Sequence, residues 1–383
     1  MCKKLLTIII ALALVLGLLS GCGKGTTGES SPEPSVAATP NHDNDAPAST
    51  EYIETMGDEK LYDTDFIIFF RQELSKLNPE DMDIPENATE EEEKGAILDY
   101  MRKTDENGIS LLDTTIGNAL QNLRLFEVSY IKGKEAGITA SADDDINTFD
   151  QNIDYYVTDD NTRDDVSNMY MSMNVNDYKR YLLEDSIVTA YKTSETGNIE
   201  PTNDDLLNYY NEHESEYKTI NVLSILFPIT DADGNQLSDA EKAEKKALAD
   251  KICADIKEIG HADEYAKGFD SSTYQQNSCM YQVTSDSNLT KNFKDWALAQ
   301  TVPGENIDVI ETPYGYHIMT CQSIDTYDSS DTVKANVKTA YQDDIFTNNM
   351  TDILNSGDYK IAGSNADLLK QLTNDLLDKL FAG

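Results

Sequence analysis

Apolar residues recur along this chain at two different periods, and the change of period divides it. From Glu51 to about Lys192 the spacing is helical. Asp65-Phe66-Ile67-Ile68-Phe69-Phe70 leads into Leu74 and Leu77, and Ala96-Ile97 leads through to Tyr100-Met101. The run from Leu111 to Ala136 places Ile116, Leu120, Leu123, Val128 and Ile131 three to five residues apart. Gly137 follows where a helix should stop, because glycine enters the left-handed region of a C-terminal cap without a steric penalty. Asn176 is read as the cap of a further helix that continues to Val188.

The period then falls to two. Ile220-Asn221-Val222-Leu223-Ser224-Ile225-Leu226-Phe227 alternates as a strand, and Thr312-Pro313-Tyr314-Gly315-Tyr316-His317-Ile318-Met319 reads as a turn feeding a second strand. Ahead of the first strand, Thr202 to Asp205 forms a capping box for a short helix carrying Leu206, Leu207, Tyr209 and Tyr210. Between the strands, a second box at Ser238 to Glu241 opens an amphipathic helix with Ala247, Leu248, Ile252, Ile256 and Ile259 on one stripe, and Gly260 closes it. A short helix at His261 to Ala266, an irregular Ser/Tyr/Gln/Asn segment and a helix around Phe293 and Trp296 complete the interval.

After Asp325 the helical spacing returns in Val333, Val337, Tyr341, Ile345 and Ile353. A turn and short strand follow at Gly357 to Ile361. Ser364-Asn365-Ala366-Asp367 caps a last helix whose Leu368, Leu369, Leu372, Leu376, Leu377, Leu380 and Phe381 form one apolar face. That face must be covered, either by the N-terminal helices or by a second copy of the chain in a homodimer.

The first 22 residues have a separate logic. Lys3 and Lys4 precede an apolar run from Leu5 to Leu19 that ends in Leu19-Ser20-Gly21-Cys22. This is the layout of a secretory leader, too short for a spanning helix. Its end resembles a bacterial lipobox, which implies cleavage before Cys22, lipidation of that cysteine and attachment to the outer face of a membrane. Residues 23–50 are rich in Ser, Thr, Pro and Ala with Val36 their only large aliphatic residue, so they are expected to be a disordered tether.

The chain has 70 acidic against 30 basic residues, a net charge of -40. That balance excludes nucleic acid as a partner and disfavours adsorption on anionic lipid. Cys253, Cys279 and Cys321 remain outside the leader and Cys22. An odd number cannot form a full disulfide framework, and Cys253 and Cys321 are read as small buried apolar residues. No metal-ligand spacing, phosphate loop or Gly-x-Ser-x-Gly appears, so no cofactor or metal is expected.

The order strand, helix, loop, helix, strand, with Pro303-Gly304-Glu305 before the last hairpin, resembles the parvulin domain of peptidyl-prolyl isomerases. Helices before and after it resemble the split chaperone domain of extracytoplasmic PrsA-like and SurA-like foldases. The resemblance implies an α+β chain with a helical chaperone domain at 51–200, an inserted parvulin-like domain of antiparallel sheet and flanking helices at 201–325, and C-terminal helices at 326–383 returning to the first domain. It further implies activity on unfolded or secreted polypeptides containing X-Pro.

Within that resemblance His317 takes the place of the family's second histidine, and Asp270 falls at its Asp/Cys position. Phe293, Leu289 and Tyr281 match the apolar shelf that grips proline, while Thr312 and Tyr314 match the polar positions just before the histidine. Ser224 stands where the first histidine is usual. Gln275-Gln276-Asn277-Ser278-Cys279-Met280-Tyr281 replaces a glycine-rich segment. These residues leave two functions open: an isomerase with Ser224 in the catalytic set, or a chaperone that grips polypeptide without turnover.

Overall fold

The chain divides into a mainly helical unit and a unit centred on a four-stranded sheet. The computed structural model describes residues 45–77, 82, 84, 88–231, 234–259 and 278–381. Residues 1–198 together with 346–383 make unit 1, and residues 199–345, inserted between those two segments, make unit 2. The fold is α+β, a helical domain interrupted by a sheet-centred one.

Unit 1 opens on a hairpin that helical spacing did not predict. Strands β1 (Tyr52–Met56) and β2 (Glu59–Tyr62) are joined by Gly57-Asp58, with Gly57 at φ +62° in the left-handed region. Five and four residues are too few for a period to emerge, although Ile53, Met56 and Leu61 are buried. Helix α1 (Asp63–Ser75) follows at once and buries Phe66 through Phe70, with the Phe66 and Phe70 rings stacked at 5.5 Å.

Helices α2 (Glu90–Met101), α3 (Leu111–Glu135), α4 (Asp143–Tyr156), α5 (Arg163–Met171) and α6 (Val175–Gly197) complete the N-terminal segment. At the end of α3, Gly137 stands at φ +72° and Ile138 N–H donates to the Gly133 carbonyl at 2.9 Å, closing the helix as glycine permits. The cap of α6 is Asn174, whose side chain accepts from Asp177 N–H; it is not Asn176, whose amide donates to the Ala46 carbonyl at 2.8 Å.

Residues 45–50, assigned to the tether by composition, are stitched to unit 1. Ala46 N–H donates to Asp164 at 2.6 Å and Ser49 N–H to Asp177 at 2.7 Å, while Arg163 pairs with Asp45 at 2.6 Å, both side chains buried. Composition reports the lack of apolar surface. It cannot report acceptors waiting elsewhere in the chain.

The C-terminal segment of unit 1 begins within α11 (Asp331–Asn355) and continues through β7 (Ile361–Ala362) to α12 (Ala366–Phe381). Strand β7 pairs antiparallel with β1, giving the sheet order β2-β1-β7. Leu376 is buried in the same core as Phe66, Leu123, Phe126 and Tyr181, with Leu368, Leu369 and Leu372 packed against it. At Leu368, Leu369, Leu372 and Leu376 the apolar face of α12 is thus covered by the unit's own residues.

Unit 2 is built on four antiparallel strands, β3 (Thr219–Pro228), β4 (Ser278–Val283), β5 (Ile307–Thr312) and β6 (Gly315–Asp325), in the order β4-β3-β6-β5. Helix α9 (Asp239–Ile259) covers one face through Ala249, Ile252, Cys253 and Ile256, against Leu223, Ile225, Phe227, Tyr316 and Ile318. Helix α10 (Lys291–Leu298) covers the other through Phe293 and Ala297, against Ile220, Val222, Met319 and Cys321. Cys253 and Cys321 are free and buried, one on each side of the sheet. The short helices α7 (Asn203–Glu212) and α8 (Glu214–Tyr217) precede the sheet, α7 behind its Thr202 capping box. The segment His261 to Ala266 lies outside the described residues.

One feature of unit 1 sets a pH dependence. Glu127, Glu184 and Asp65 are pushed up to about 8, about 7 and about 6, in each case first by burial and then by neighbouring carboxylates; Arg180 opposes the shifts of Glu184 and Asp65, and Lys134 those of Glu127 and Glu184. A raised carboxyl binds its proton more tightly folded than unfolded, so its contribution is complete below the unfolded value of about 4.3 and is lost as pH rises through the folded one. The thermal midpoint of unit 1 should fall between pH 5 and pH 8.5, and Glu127→Gln should flatten much of that fall. Equal slopes in the native and variant chains would show that Glu127 is ionised in the folded state throughout.

Candidate active site

The site lies on the α10 face of the sheet, and strand register builds it. His317 on β6 is opposite Leu226 on β3 and Ile310 on β5, while Ser224 is opposite Met319 and Thr312 is opposite Gly315. Side chains two apart on a strand share a face, so the His317 ring has Ser224 on one diagonal and Thr312 on the other. Nδ1 of the ring is 3.0 Å from Ser224 Oγ, and Nε2 is 2.9 Å from Thr312 Oγ1.

Thr312 is itself held. Tyr314 N–H donates to Thr312 Oγ1 at 3.2 Å, and the hydroxyl lies 3.4 Å from the Gly315 carbonyl. Gly315 is required where β6 starts: it sits at φ +145°, and a Cβ there would lie 2.2 Å from the Phe227 carbonyl oxygen of β3. This close approach brings the β5–β6 turn down onto the sheet beside the histidine.

Helix α10 sets the apolar half. Trp296 Nε1 donates to Asp308 at 2.8 Å and Asn292 donates to the Glu311 carbonyl at 3.2 Å, fixing the helix along β5. Phe293 then meets the His317 ring edge-on at 5.3 Å, and Tyr281 on β4 meets Phe293 at 4.9 Å. Leu289 packs in the same cluster.

The structure thus brings together Ser224, His317, Thr312, Phe293, Tyr281 and Leu289. The Tyr314 side chain is exposed in the turn, and the contact it makes to this group is through its backbone N–H. Asp270 and Cys22 lie outside the described residues, as does the part of the replaced glycine-rich segment before Ser278; from Ser278 onward that segment is strand β4. Met319, fully buried opposite Ser224 on the same face, belongs to the site's wall and was missed, although its spacing of two from His317 carried the signal.

Burial, acting alone, lowers the His317 imidazole to about 4. The ring is 5% exposed and Ser224 1% exposed. A serine beside a histidine is also the geometry of nucleophilic hydrolysis, and this pair lacks its requirements. The serine is sealed from substrate, the histidine is a weak base, and the far ring nitrogen meets a threonine hydroxyl instead of a carboxylate. What the arrangement offers is a neutral, desolvated hydrogen-bond chain beside aromatic and thioether surface.

Residues 206–324 match the PPIC-type PPIase domain family. Unit 2 carries a parvulin-type domain. Among solved structures the chain is similar to PrsA from Bacillus subtilis, at 16% identity over 74% of this chain and 87% of that one, with a TM-score of 0.24. It is also similar to the foldase PrsA from Streptococcus pneumoniae, at 15% identity over 68% and 82% with a TM-score of 0.30. A structure of SurA-like chaperones from Campylobacter jejuni gives 15% identity over 81% and 99% with a TM-score of 0.20. No curated protein matches the chain.

In this parvulin domain the histidine should stay uncharged across the physiological range. A lowered imidazole contributes stability that is complete above the unfolded value of about 6.5 and is lost as pH falls through it toward the folded one. The ring-nitrogen resonances of His317 should be flat from pH 8 to pH 5. Titration with a midpoint near the ordinary histidine value would mean that the ring is solvated and the hydroxyl clamp is absent.

Proposed function

We propose that the chain is an extracytoplasmic foldase, anchored to the membrane by lipid on Cys22, whose parvulin domain catalyses cis-trans isomerisation of X-Pro bonds in secreted polypeptides. The observation that carries this reading is the neutral chain Ser224–His317–Thr312 lying against Phe293 on one face of the sheet. Rotation about an amide faces a barrier of roughly 18–20 kcal/mol because resonance is lost in the twisted state. Lowering it takes no nucleophile or metal. It takes an apolar grip on the proline ring and an environment that favours the twisted amide over the planar, more polar one.

The residues divide that work. Phe293, Leu289 and Tyr281 supply apolar and aromatic surface for the ring. Ser224 and Thr312 hold the imidazole between them, each hydroxyl able to donate or accept, so the ring can take either tautomer without acquiring charge. Asp270 is assigned to the same site by resemblance. The leader and Cys22 support the anchoring, and no described helix is long and apolar enough to cross a membrane.

A second reading rests on one specific feature. Both ring nitrogens of His317 are engaged and the ring is buried, so no ring donor is free to reach a substrate amide. The domain would then grip proline-containing segments as a holdase. The two readings part on a protease-free assay of X-Pro peptides with the chain from Asp45 onward and a Ser224→His variant. The isomerase reading expects the native chain to accelerate exchange measurably above background. Acceleration by the variant alone would favour the holdase, and silence from both would remove the isomerase proposal.

A further inference from the structure

Residues 45–50 lie on unit 1 as a peptide lies on its receptor. They read Asp-Ala-Pro-Ala-Ser-Thr, and none of the six belongs to the unit's apolar core. Pro47 and Thr50 are exposed and the other four only partly covered. What holds the segment is mostly its main chain. Ala46 N–H donates to Asp164 at 2.6 Å and Ser49 N–H to Asp177 at 2.7 Å. In the other direction Asn176 donates to the Ala46 carbonyl at 2.8 Å, Asn174 to the Pro47 carbonyl at 3.2 Å and Arg180 to the Ser49 carbonyl at 3.4 Å. Side chains enter at two places: Asp45 pairs with Arg163 at 2.6 Å, and the Ser49 hydroxyl bonds the Asp63 carboxyl.

Main-chain N–H and C=O groups are what every polypeptide has in common. A surface that sets carboxylate acceptors beside amide and guanidinium donors along a short segment therefore reads a chain's spacing and direction, and is indifferent to most of its side chains. Nothing in residues 46–48 beyond their main chain is recognised, so a different sequence can make the same bonds.

A second observation points to the same kind of partner. Helices α4 and α5 leave Tyr155, Tyr156 and Met169 exposed, with the Tyr155 and Tyr156 rings edge-on at 5.0 Å and Tyr156 at 5.2 Å from Tyr170. Aromatic and thioether surface left open in this way marks an interaction site. Arg163 joins the two features, pairing with Asp45 of the segment and with Asp154, the residue before Tyr155.

We infer that the α5–α6 surface is a binding groove for extended polypeptide, and that residues 45–50 are its resident occupant, displaced when a client segment binds. Being part of the same chain gives the occupant a high effective concentration, so the groove is self-inhibited at rest. The inference takes from the proposed function only that the chain meets unfolded polypeptide, and it does not depend on isomerisation in unit 2.

The test is fluorescence anisotropy of labelled acetyl-Asp-Val-Gln-Thr-Ser-Val-amide titrated with the full chain in a nonionic detergent. This peptide keeps the Asp and Ser of the resident segment and contains no proline, so failure of the isomerase reading would leave the result unchanged. Ala46→Pro removes the donor to Asp164 and sets a ring against that carboxylate, which loosens the occupant and leaves the groove intact. It should tighten peptide binding about tenfold. Asn176→Ala in that background should weaken it about threefold to tenfold, and a peptide N-methylated at its second and fifth residues should bind at least tenfold more weakly. Circular dichroism reports the fold of each variant. In the native chain, which needs no substitution, saturating peptide should speed hydrogen exchange at the Ser49 amide. No saturable binding to the Ala46→Pro chain, equal affinity of native and Ala46→Pro chains, equal binding of the methylated peptide, or a Ser49 amide that stays protected with peptide bound would overturn the inference.

Discussion

Ten residues of β3 run antiparallel against β6, and that register puts Ser224 and His317 on one face of the sheet. A slip of β3 by one residue would send Ser224 to the α9 side, away from His317, and would turn Ile225 toward Phe293. The register is held from both faces at once, since each is covered by a helix and each strand buries alternate residues against one helix or the other. Gly315 closes the end of the ladder at a contact no other residue could make. The hydrogen-bond chain across the sheet is therefore a consequence of packing and is not itself the source of it.

That origin explains the chemistry. A ring placed by a buried ladder is desolvated before any substrate arrives, and desolvation is what removes its charge. The two flanking hydroxyls satisfy both ring nitrogens at about the cost-free geometry of ordinary hydrogen bonds, so the polar atoms are buried but not orphaned. Unit 1 handles buried polarity differently. Glu127, Glu184 and Asp65 lie close together in its core, Asp65 paired with Arg180 at 2.9 Å, and burial with the neighbouring carboxylates raises all three. The two units thus respond to pH in opposite senses, unit 1 weakening as pH rises and the histidine of unit 2 as it falls.

Much of this was legible in the sequence wherever a pattern ran long enough to average over. The eight alternating residues from Ile220, the stripe of α9 and the capping boxes at Thr202 and Ser238 each declare an element that the structure contains. Alternation puts His317, Met319 and Cys321 on one face of their strand, and the β3–β6 register adds Ser224 to it. Short or non-local features were illegible. Strands β1 and β2 are shorter than any detectable period, the helix read as starting at Asn176 begins two residues earlier behind Asn174, and residues 45–50 look like tether because their partners, Asp164 and Asp177, lie more than a hundred residues away. Residue roles at the site came from resemblance; geometry added the threonine clamp, the buried Met319 and the sealing of Ser224.

The central claim is that X-Pro segments engage unit 2 at His317 while its ring stays neutral. The most direct measurement is to follow the ring nitrogens of His317 by NMR while adding an X-Pro peptide, and then the same peptide with alanine in place of proline. The account predicts that the proline peptide shifts both ring nitrogens with neutral-imidazole values retained, and that the alanine peptide shifts them far less. Resonances indifferent to proline, or a ring that becomes charged on binding, would contradict it.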